Sequence, residues 1–261
     1  MGILNVTPDS FSDGGRWATP EAAVAHGLAL VAQGADLVDV GGESTRPGSA
    51  RVDAGTELDR VVPVVRALAG HGVRISVDTT RAEVAAASLR AGALWVNDVS
   101  GGLADPAMLD TVAELGGGYI AMHWRGHATE MADRAVYTDV VAEVVAELAE
   151  RRDAALAAGI PADRLVLDPG IGFAKTAEHN WELLRHLDAV EGLGHPVLLG
   201  VSRKRFLAGL VDGLPETPPA ERDIATAALT VLAAQRRLWA VRTHEVRGQR
   251  DAIAVVERMR P

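Results

Sequence analysis

Polar side chains recur at the points where short apolar runs of the sequence end. They are Asn5, Asp39, Asp78, Asn97 with Asp98, His123, Asp168, Ser202 and His244. Carboxylate and amide groups accept hydrogen bonds from a polar heterocycle or bind a metal ion, and imidazole contacts anions or metals. Arg242 and His244 are two residues apart, so in a strand they share one side, which suits a grip on a phosphate group.

A simpler interpretation exists for each of these positions taken alone. Asp, Asn and Ser are preferred caps of a following helix, so capping explains a single position as well as catalysis does. Capping explains the whole series less well, because polar residues end one predicted strand after another. The carboxyl ends of the strands in a parallel barrel meet on one face, where active sites are built. We therefore predict that these residues share one site.

Short β-rich runs alternate with amphipathic helical segments along the chain, a pattern that predicts a parallel sheet covered by helices. The predicted strands are Ile3–Thr7, Leu37–Gly41, Ile75–Asp78, Leu94–Asp98, Tyr119–His123, Leu165–Asp168, Val197–Gly200 and Ala240–His244. The predicted helices include Pro20–Gln33, Arg81–Arg90, Pro106–Leu115, Thr138–Ala158 and Ala220–Ala234. Eight such units favour an α/β fold, a single-domain (β/α)8 TIM barrel over residues 1–261, above a doubly wound open sheet.

The composition excludes several classes of protein. With 48% hydrophobic and 23% charged residues among 261, the chain is globular in type and far from disordered sequences. A net charge of −9 argues against general binding to nucleic acid, and the absence of cysteine excludes disulfides and thiolate chemistry. Since we find neither a signal sequence nor a membrane-spanning apolar run, we expect a cytoplasmic protein without a nucleic-acid or membrane partner.

Seven motifs resemble, in the same order, those of the dihydropteroate synthases. They are Met1–Gly15, Asp39–Gly48, Ser76–Thr79, Asn97–Gly102, Asp168–Lys175, Ser202–Phe206 and Arg242–Val246. The resemblance extends over essentially the whole chain. It implies a transferase of folate biosynthesis that condenses (7,8-dihydropterin-6-yl)methyl diphosphate with p-aminobenzoate and releases pyrophosphate.

The resemblance also implies how the pterin ring is bound. Asp168 would accept hydrogen bonds from the amino group and the adjacent ring N–H, for which a fixed carboxylate is a natural partner. Asn97 would satisfy another ring position, Lys204 would donate to a ring oxygen or nitrogen, and Met122 would form part of the wall. Asp78 would stabilise positive charge that develops as the diphosphate leaves.

The diphosphate requires cations and oriented donors. By resemblance these come from Ser202 and from the motif that contains Arg242, Thr243 and His244. The catalytic set implied by the resemblance is therefore Asp78, Lys204, Arg242 and His244.

A glycine-containing loop over residues 42–52 is expected to close over the site. Thr45 would add hydrogen-bond donors to the diphosphate and Arg46 would add charge. Pro47 and Phe173 would form an apolar slot for p-aminobenzoate. Sulfonamides, which mimic p-aminobenzoate, are expected to enter the same slot.

The resemblance implies two further partners. Mg2+ would be bound through the amide oxygen of Asn5, with the diphosphate and water completing its octahedron. A single asparagine ligand predicts weak metal binding in the absence of substrate. The family also tends to dimerise through late helices, so we expect a homodimer.

Two related proteins remain as alternatives. One is a catalytically inactive paralogue that binds pterin, and against it stands the complete set of motif residues. The other is a pterin-binding methyltransferase, which has no use for the diphosphate grip that Lys204, Arg242 and His244 would provide.

Overall fold

The computed structural model describes residues 1–7, 19–44, 51–127, 130–131, 133–210 and 214–260. Its strands are β1 (Gly2–Asn5), β2 (Val38–Gly41), β3 (Ile75–Asp78), β4 (Trp95–Asp98), β5 (Gly118–Met122), β6 (Leu165–Asp168), β7 (Leu198–Leu199) and β8 (Ala240–Val241). The first six follow the predicted strands closely. The last two are shorter than predicted, since the chain after β7 enters a turn in which Arg203 has a φ of 60°, and residues beyond β8 pair only through an isolated bridge.

The helices of the described residues are α1 (Pro20–Ala32), α2 (Ala54–Gly70), α3 (Ala82–Arg90), α4 (Met108–Leu115), α5 (Val140–Ala157), α6 (Ala177–Arg185), α7 (Leu187–Glu191), α8 (Asp223–Gln235) and α9 (Val246–Met259). The helix predicted from Ala220 begins three residues later, because Pro219–Arg222 form a 3-10 turn. None of these helices is long and apolar enough to cross a membrane, in the part of the chain that the structure describes.

All strand pairs are parallel, and together they close a barrel. Strands β1 to β6 form one sheet in chain order, and β7 pairs with β8. Isolated parallel bridges then join β6 to β7 through Leu167 and Val197, and β8 to β1 through Thr243 and Gly2. The predicted (β/α)8 barrel is confirmed, and its last seam places the end of the chain beside its beginning.

Alternation along the strands divides each into two faces. Every second strand residue points into the barrel. The inward-pointing residues near the amino-terminal end pack together, and we call this cluster the barrel floor. It consists of Met1, Leu37, Ile120, Val166 and Leu198, with the partly buried Trp95, Trp239 and Ala240 against it. The rings of Trp95 and Trp239 lie 5.0 Å apart between centroids. Both tryptophans therefore act as packing residues of the floor.

The alternate strand residues face the helices. Val38, Val40 and Val77 belong to the large cluster between the barrel and α1 to α4. On α5, Val140, Val144 and Leu148 are buried against a second cluster, as their helical spacing predicts. The outer layer therefore fixes the rotation of each strand, and with it the direction of the residues inside.

The barrel floor predicts an unusual intolerance at Gly118. A Cβ on Gly118 would lie 2.4 Å from Cε3 of Trp95 on the neighbouring strand. We expect Gly118→Ala to lower the free energy of unfolding by about 1–3 kcal/mol, the usual cost of overpacking. Gly70→Ala is the matched control, because no atom lies within 4 Å of its Cβ position and alanine favours a helix. Urea unfolding would measure both, and equal effects would contradict the packing assigned to Trp95.

Candidate active site

The residues of the candidate site lie on the same strand face as the barrel floor, one step nearer the carboxyl end. Asp39, Asn97, Met122, Asp168 and Arg242 each stand two positions after a floor residue and so face the mouth of the barrel. The floor residues that precede them are Leu37, Trp95, Ile120, Val166 and Ala240. Packing at one end of the barrel therefore directs the polar groups at the other.

Two polar strand-end residues, Asp98 and His123, point to the outside of the barrel and do not enter its mouth. The carboxylate of Asp98 accepts hydrogen bonds from Ser100 and from the Tyr119 hydroxyl at 2.7 Å. The ring of His123 is 2.9 Å from a Glu147 oxygen on the outer helix α5. The prediction that all strand-end residues share one site is thus wrong for these two, since strand alternation turns them outward.

Arg242 connects two buried carboxylates. Its Nε donates to Asp39 Oδ2 at 2.6 Å, and its Nη2 donates to Asp78 Oδ2 at 2.8 Å. The amide of Asn97 donates to the same Asp39 oxygen at 3.0 Å. Residues from β2, β3, β4 and the end of β8 are thereby joined in one network, which spans 203 positions of sequence between Asp39 and Arg242.

Burial raises the pKa of Asp78 to about 7. The guanidinium of Arg242 opposes this shift, while the neighbouring carboxylate of Asp39 adds to it. Oδ1 of Asp78 and Oδ1 of Asp39 are buried without a hydrogen-bond partner in the described structure. A buried unpaired carboxylate oxygen is costly, so a group that donated a hydrogen bond to either atom would relieve that cost.

Asp168 and Lys204 form the second charged pair of the mouth. Asp168 Oδ1 accepts the N–H of Gly170 at 2.7 Å, and burial raises the pKa of its carboxyl against the nearby ammonium of Lys204. Burial also lowers the pKa of Lys204 to about 8, and Asp168 opposes that shift. Lys204 Nζ donates to the carbonyl of Ile171 and lies 4.6 Å from the ring centroid of Phe173. A cation over an aromatic ring is stabilised by the ring's quadrupole.

Gly200 leaves room for this pair. A Cβ on Gly200 would lie 3.7 Å from Asp168 Oδ2, 3.9 Å from Lys204 Nζ and 4.0 Å from Arg242 Cβ. The three side chains therefore surround one position, so Asp168 and Arg242 lie on the same side of the barrel mouth.

Neither Asp78 nor Asp168 caps a helix, although capping was the simpler interpretation of each position. The N-cap of α3 is Arg81, and the N–H of Ala82 is bound by Asp105 rather than by Asp78. The N-cap of α6 is Thr176, and the described hydrogen bond of Asp168 comes from Gly170 in the turn directly after β6. The burial of both carboxylates thus has no capping function to explain it.

His244 has its own polar partner. The Ser202 hydroxyl accepts the backbone N–H of His244 at 3.1 Å and lies 3.0 Å from its Nδ1. The Ser202 hydroxyl therefore orients the His244 ring from the Nδ1 side. Thr243 is buried and its hydroxyl donates to the carbonyl of Glu245 at 3.0 Å. Arg242 and His244 are two residues apart, but different partners orient them: Asp39 and Asp78 for Arg242, and Ser202 for His244.

Three predicted binding residues, Thr45, Arg46 and Pro47, lie outside the described residues. The residues that flank this segment on both sides are described by the structure. Glu43 accepts the N–H of Val52 at 3.0 Å and the guanidinium of Arg81 at 2.9 Å, so the two ends of the loop are tied together.

Two residues of the site were missed as functional residues by the sequence. Asp39 was recognised as a strand end but given no role, although it holds both Asn97 and Arg242. Lys175 closes the fifth motif, and burial lowers its pKa to about 7 against the charge of Asp168. The signal for Lys175 was its rarity, because Lys175 and Lys204 are the two lysines of the chain.

Comparison with known proteins gives consistent relatives. The family model described as pterin binding enzyme matches residues 1–244. The dihydropteroate synthase of Mycobacterium leprae is 55% identical over 98% of this chain and 91% of that protein. The enzyme of Streptococcus pyogenes is 46% identical over 99% of this chain and 94% of that protein.

Solved structures agree with these sequence relatives. A Yersinia pestis dihydropteroate synthase in complex with a sulfonamide drug has a TM-score of 0.92 and 41% identity, covering 99% of this chain and 92% of that one. A Xanthomonas albilineans dihydropteroate synthase with 4-aminobenzoic acid has a TM-score of 0.91 and 46% identity, covering 100% and 93%.

The raised pKa of Asp78 predicts a pH-dependent stability. In an unfolded chain this carboxyl has a pKa near 3.8, so its contribution to the free energy of unfolding falls as pH rises from about 4 to about 7. Asp78→Asn removes this ionisation. We expect the variant to be stabilised at pH 8 relative to pH 5 by about 1–2 kcal/mol more than the parent protein. Thermal melting at the two pH values would measure this, and a pH-independent difference would contradict the assignment.

Proposed function

The chain belongs to the dihydropteroate synthases of the pterin-binding enzyme family, and we propose that the barrel mouth performs their reaction with the residues described above. The enzyme is a transferase of folate biosynthesis. It condenses (7,8-dihydropterin-6-yl)methyl diphosphate with p-aminobenzoate to give 7,8-dihydropteroate and pyrophosphate. The observation that carries the assignment of the site is the single buried network of Asp39, Asp78, Asn97 and Arg242 beside Asp168 and Lys204.

Pterin recognition rests on the second charged pair. Asp168 Oδ1 is engaged by Gly170, which fixes the carboxylate and leaves Oδ2 facing the space beside Gly200. That oxygen accepts from the amino group and ring N–H of the pterin. Lys204 donates to a ring oxygen or nitrogen, Asn97 satisfies a further position, and Met122 packs against the ring.

The leaving group is bound by Arg242 and His244. Arg242 is held by two carboxylates in the described structure and has a third donor nitrogen besides Nε and Nη2 for the diphosphate. His244 contributes its imidazole, whose orientation is set by the Ser202 hydroxyl 3.0 Å from Nδ1. Thr243 supports the turn between them. Donors placed in advance for the departing charge lower the barrier without reorganisation at the moment of reaction.

The chemical step is a substitution at the methylene carbon of the pterin. The amine nitrogen of p-aminobenzoate forms the new C–N bond while the C–O bond to the diphosphate breaks, and the electron pair of the C–O bond leaves with pyrophosphate. The nitrogen then gives up one of its two protons to solvent, which leaves the neutral secondary amine of the product. Asp78 lies beside Arg242 and stabilises positive charge on the pterin as the anion departs. No covalent enzyme intermediate is needed, since the aromatic amine is already neutral and nucleophilic at pH 7.

We place p-aminobenzoate, and the sulfonamides that mimic it, beside Phe173 and the loop that carries Thr45, Arg46 and Pro47. Phe173 is partly buried under Lys204 and offers one apolar wall. Relatives solved with a sulfonamide and with 4-aminobenzoic acid support binding of both kinds of ligand by this chain.

We propose Mg2+ as the cofactor, bound through Asn5. A Cβ on Gly41 would lie 3.7 Å from Asn5 Oδ1 and 3.7 Å from Asp78 Oδ2, so the missing side chain leaves a gap flanked by two oxygen atoms. Oxygen donors suit Mg2+, but the described residues contain no group of three His, Cys, Asp or Glu side chains that would hold a metal alone. The donor set therefore fits a metal that arrives with the diphosphate, and its chemistry there is to neutralise the leaving anion.

We also propose a homodimer formed through α8 and α9. Ile224 and Leu232 lie eight positions apart on one face of α8 and are 85% and 53% exposed, and Met259 of α9 is 79% exposed. Large exposed apolar side chains at helical spacing indicate a covered surface. Sedimentation should give a dimer that Leu232→Glu converts to a monomer. A monomeric parent protein would contradict the proposal.

The cytoplasm is the proposed location, where folate biosynthesis has its substrates, and residues 1–261 are proposed to form one domain. The activity is tested by mixing the protein with the pterin diphosphate, p-aminobenzoate and Mg2+ and measuring pyrophosphate. We expect release that depends on p-aminobenzoate. Tight pterin binding without release would instead identify an inactive paralogue.

In the same assay, Arg242→Ala should raise the KM for the pterin diphosphate on the order of 10–100-fold, the effect of losing a hydrogen bond between charged groups. The KM for p-aminobenzoate should change far less, because the guanidinium contacts the diphosphate and not the amine. Arg205→Ala is the control, since Arg205 is exposed and begins the 3-10 turn after Lys204. An equal rise in both KM values would remove Arg242 from the diphosphate site.

A further inference from the structure

Lys175 is half-buried beside the mouth of the barrel, and its ammonium group points away from the ligand space. Its Nζ lies 2.9 Å from His123 Nδ1, 3.1 Å from the carbonyl oxygen of Gly170 and 3.1 Å from that of Phe173. When it is protonated, the Lys175 amine has three N–H donors and no acceptor. All three donors of Lys175 are therefore engaged by protein atoms, and none is left for a substrate.

The segment that Lys175 holds has an unusual backbone. Gly170, Gly172 and Ala174 have φ angles of 66°, 79° and 46°, in the left-handed region. Alanine is disfavoured there by about 1 kcal/mol or more, so the conformation needs support from outside the segment. A Cβ on Gly170 would lie 2.4 Å from the carbonyl oxygen of His123, which shows how closely the segment lies against the end of β5.

Groups proposed to bind the pterin are attached to this segment. The N–H of Gly170 donates to Asp168 Oδ1 at 2.7 Å, while the carbonyl of the same residue accepts from Lys175. The Phe173 ring lies under Lys204, and the Phe173 carbonyl also accepts from Lys175. Movement of the Lys175 ammonium would therefore displace the carboxylate and the aromatic ring together.

His123 and Glu147 fix the ammonium in turn. Glu147 Oε2 lies 2.9 Å from His123 Nε2. Burial of Glu147 opposes its ionisation, but hydrogen bonds from His123 and Arg125 outweigh burial and lower its pKa to about 2. A carboxylate only accepts, so Nε2 carries the ring proton. Burial lowers the pKa of His123 to about 4, so the ring is neutral and Nδ1 accepts from Lys175.

We propose that Lys175, oriented by His123, is a positioning residue for pterin binding, which it serves by fixing the Gly170 and Phe173 carbonyls and so aiming Asp168. The inference rests on the ring-binding role proposed above for Asp168. It adds a chain of groups from α5 to the substrate, none of which touches the substrate except the last.

The test separates the two ends of the substrate. The dissociation constants of 6-hydroxymethyl-7,8-dihydropterin and of inorganic pyrophosphate are measured by titration calorimetry. Lys175→Met should weaken binding of the pterin alcohol about tenfold or more, as expected from losing a hydrogen bond to a charged group. Binding of pyrophosphate should stay unchanged, because the described hydrogen bonds of Lys175 go to His123, Gly170 and Phe173 and not to the residues proposed to bind the diphosphate. A general structural defect would weaken both ligands, and that result would overturn the proposal.

A matched pair at His123 keeps the proposal testable if Lys175→Met folds poorly. His123→Asn retains an acceptor near the Nδ1 position, whereas His123→Leu has a similar volume and none. We expect the leucine variant to lose pterin binding as Lys175→Met does, and the asparagine variant to retain it. Glu150→Leu is the control on α5, because Glu150 is exposed and pairs only with Arg151 at 3.8 Å among the described contacts. Equal pterin binding by both His123 variants would contradict the role of Nδ1.

Asp168→Asn is measured beside these variants. If it leaves binding of the pterin alcohol unchanged, the ring-binding role of Asp168 fails. If it weakens that binding while Lys175→Met does not, the role of Asp168 stands and the role of Lys175 alone is overturned.

Discussion

One guanidinium shared by two buried carboxylates is the interaction on which this molecule depends. Asp39 and Asp78 come from β2 and β3, and Arg242 follows β8 almost at the end of the barrel sequence. Removing either kind of charge would leave the other buried and unpaired, which is costly in a low-dielectric interior. Closure of the barrel between β8 and β1 is what brings the cation to the acids. The ion pairs of Arg242 with Asp39 and Asp78 therefore require the closed barrel, and they also form part of the candidate site.

The direction of each site residue is set by apolar packing at the opposite end of the strand. Because side chains alternate, a floor residue such as Trp95 or Ile120 fixes Asn97 or Met122 two positions later. The same rule sends Asp98 and His123 to the outside, where they acquire structural partners. Asp98 is bound by Ser100 and Tyr119, and His123 joins the contacts that support the segment after β6. Consecutive residues at a strand end therefore face the mouth of the barrel and the surrounding scaffold alternately.

Much of this arrangement was predictable from the sequence. The strand ends, the barrel and the motif residues Asp78, Asn97, Asp168 and Lys204 were found from apolar runs and from resemblance, because periodicity and strand order are local properties. The sequence also contains the alternation of side chains along each strand. It does not show which of the two faces points into the barrel, so the sequence alone groups Asp98 and His123 with the site. The pairing of Arg242 with Asp39 was beyond local reasoning, since it joins residues 203 positions apart across the closing seam. The contacts of Lys175 depend on a left-handed turn at Ala174, for which alanine gives no signal.

Asp39, Asp78, Asp168, Lys204 and Arg242 form one group of mutually interacting charges. We propose that Asp168 orients the ring and that the cations take the departing charge. A crystal structure of the protein with the pterin diphosphate would test this most directly. We expect the amino edge of the ring against Asp168 and Asn97, with the diphosphate reaching Arg242 and His244 in the same cavity. A ring bound away from Asp168, or a diphosphate that contacts neither Arg242 nor His244, would contradict it.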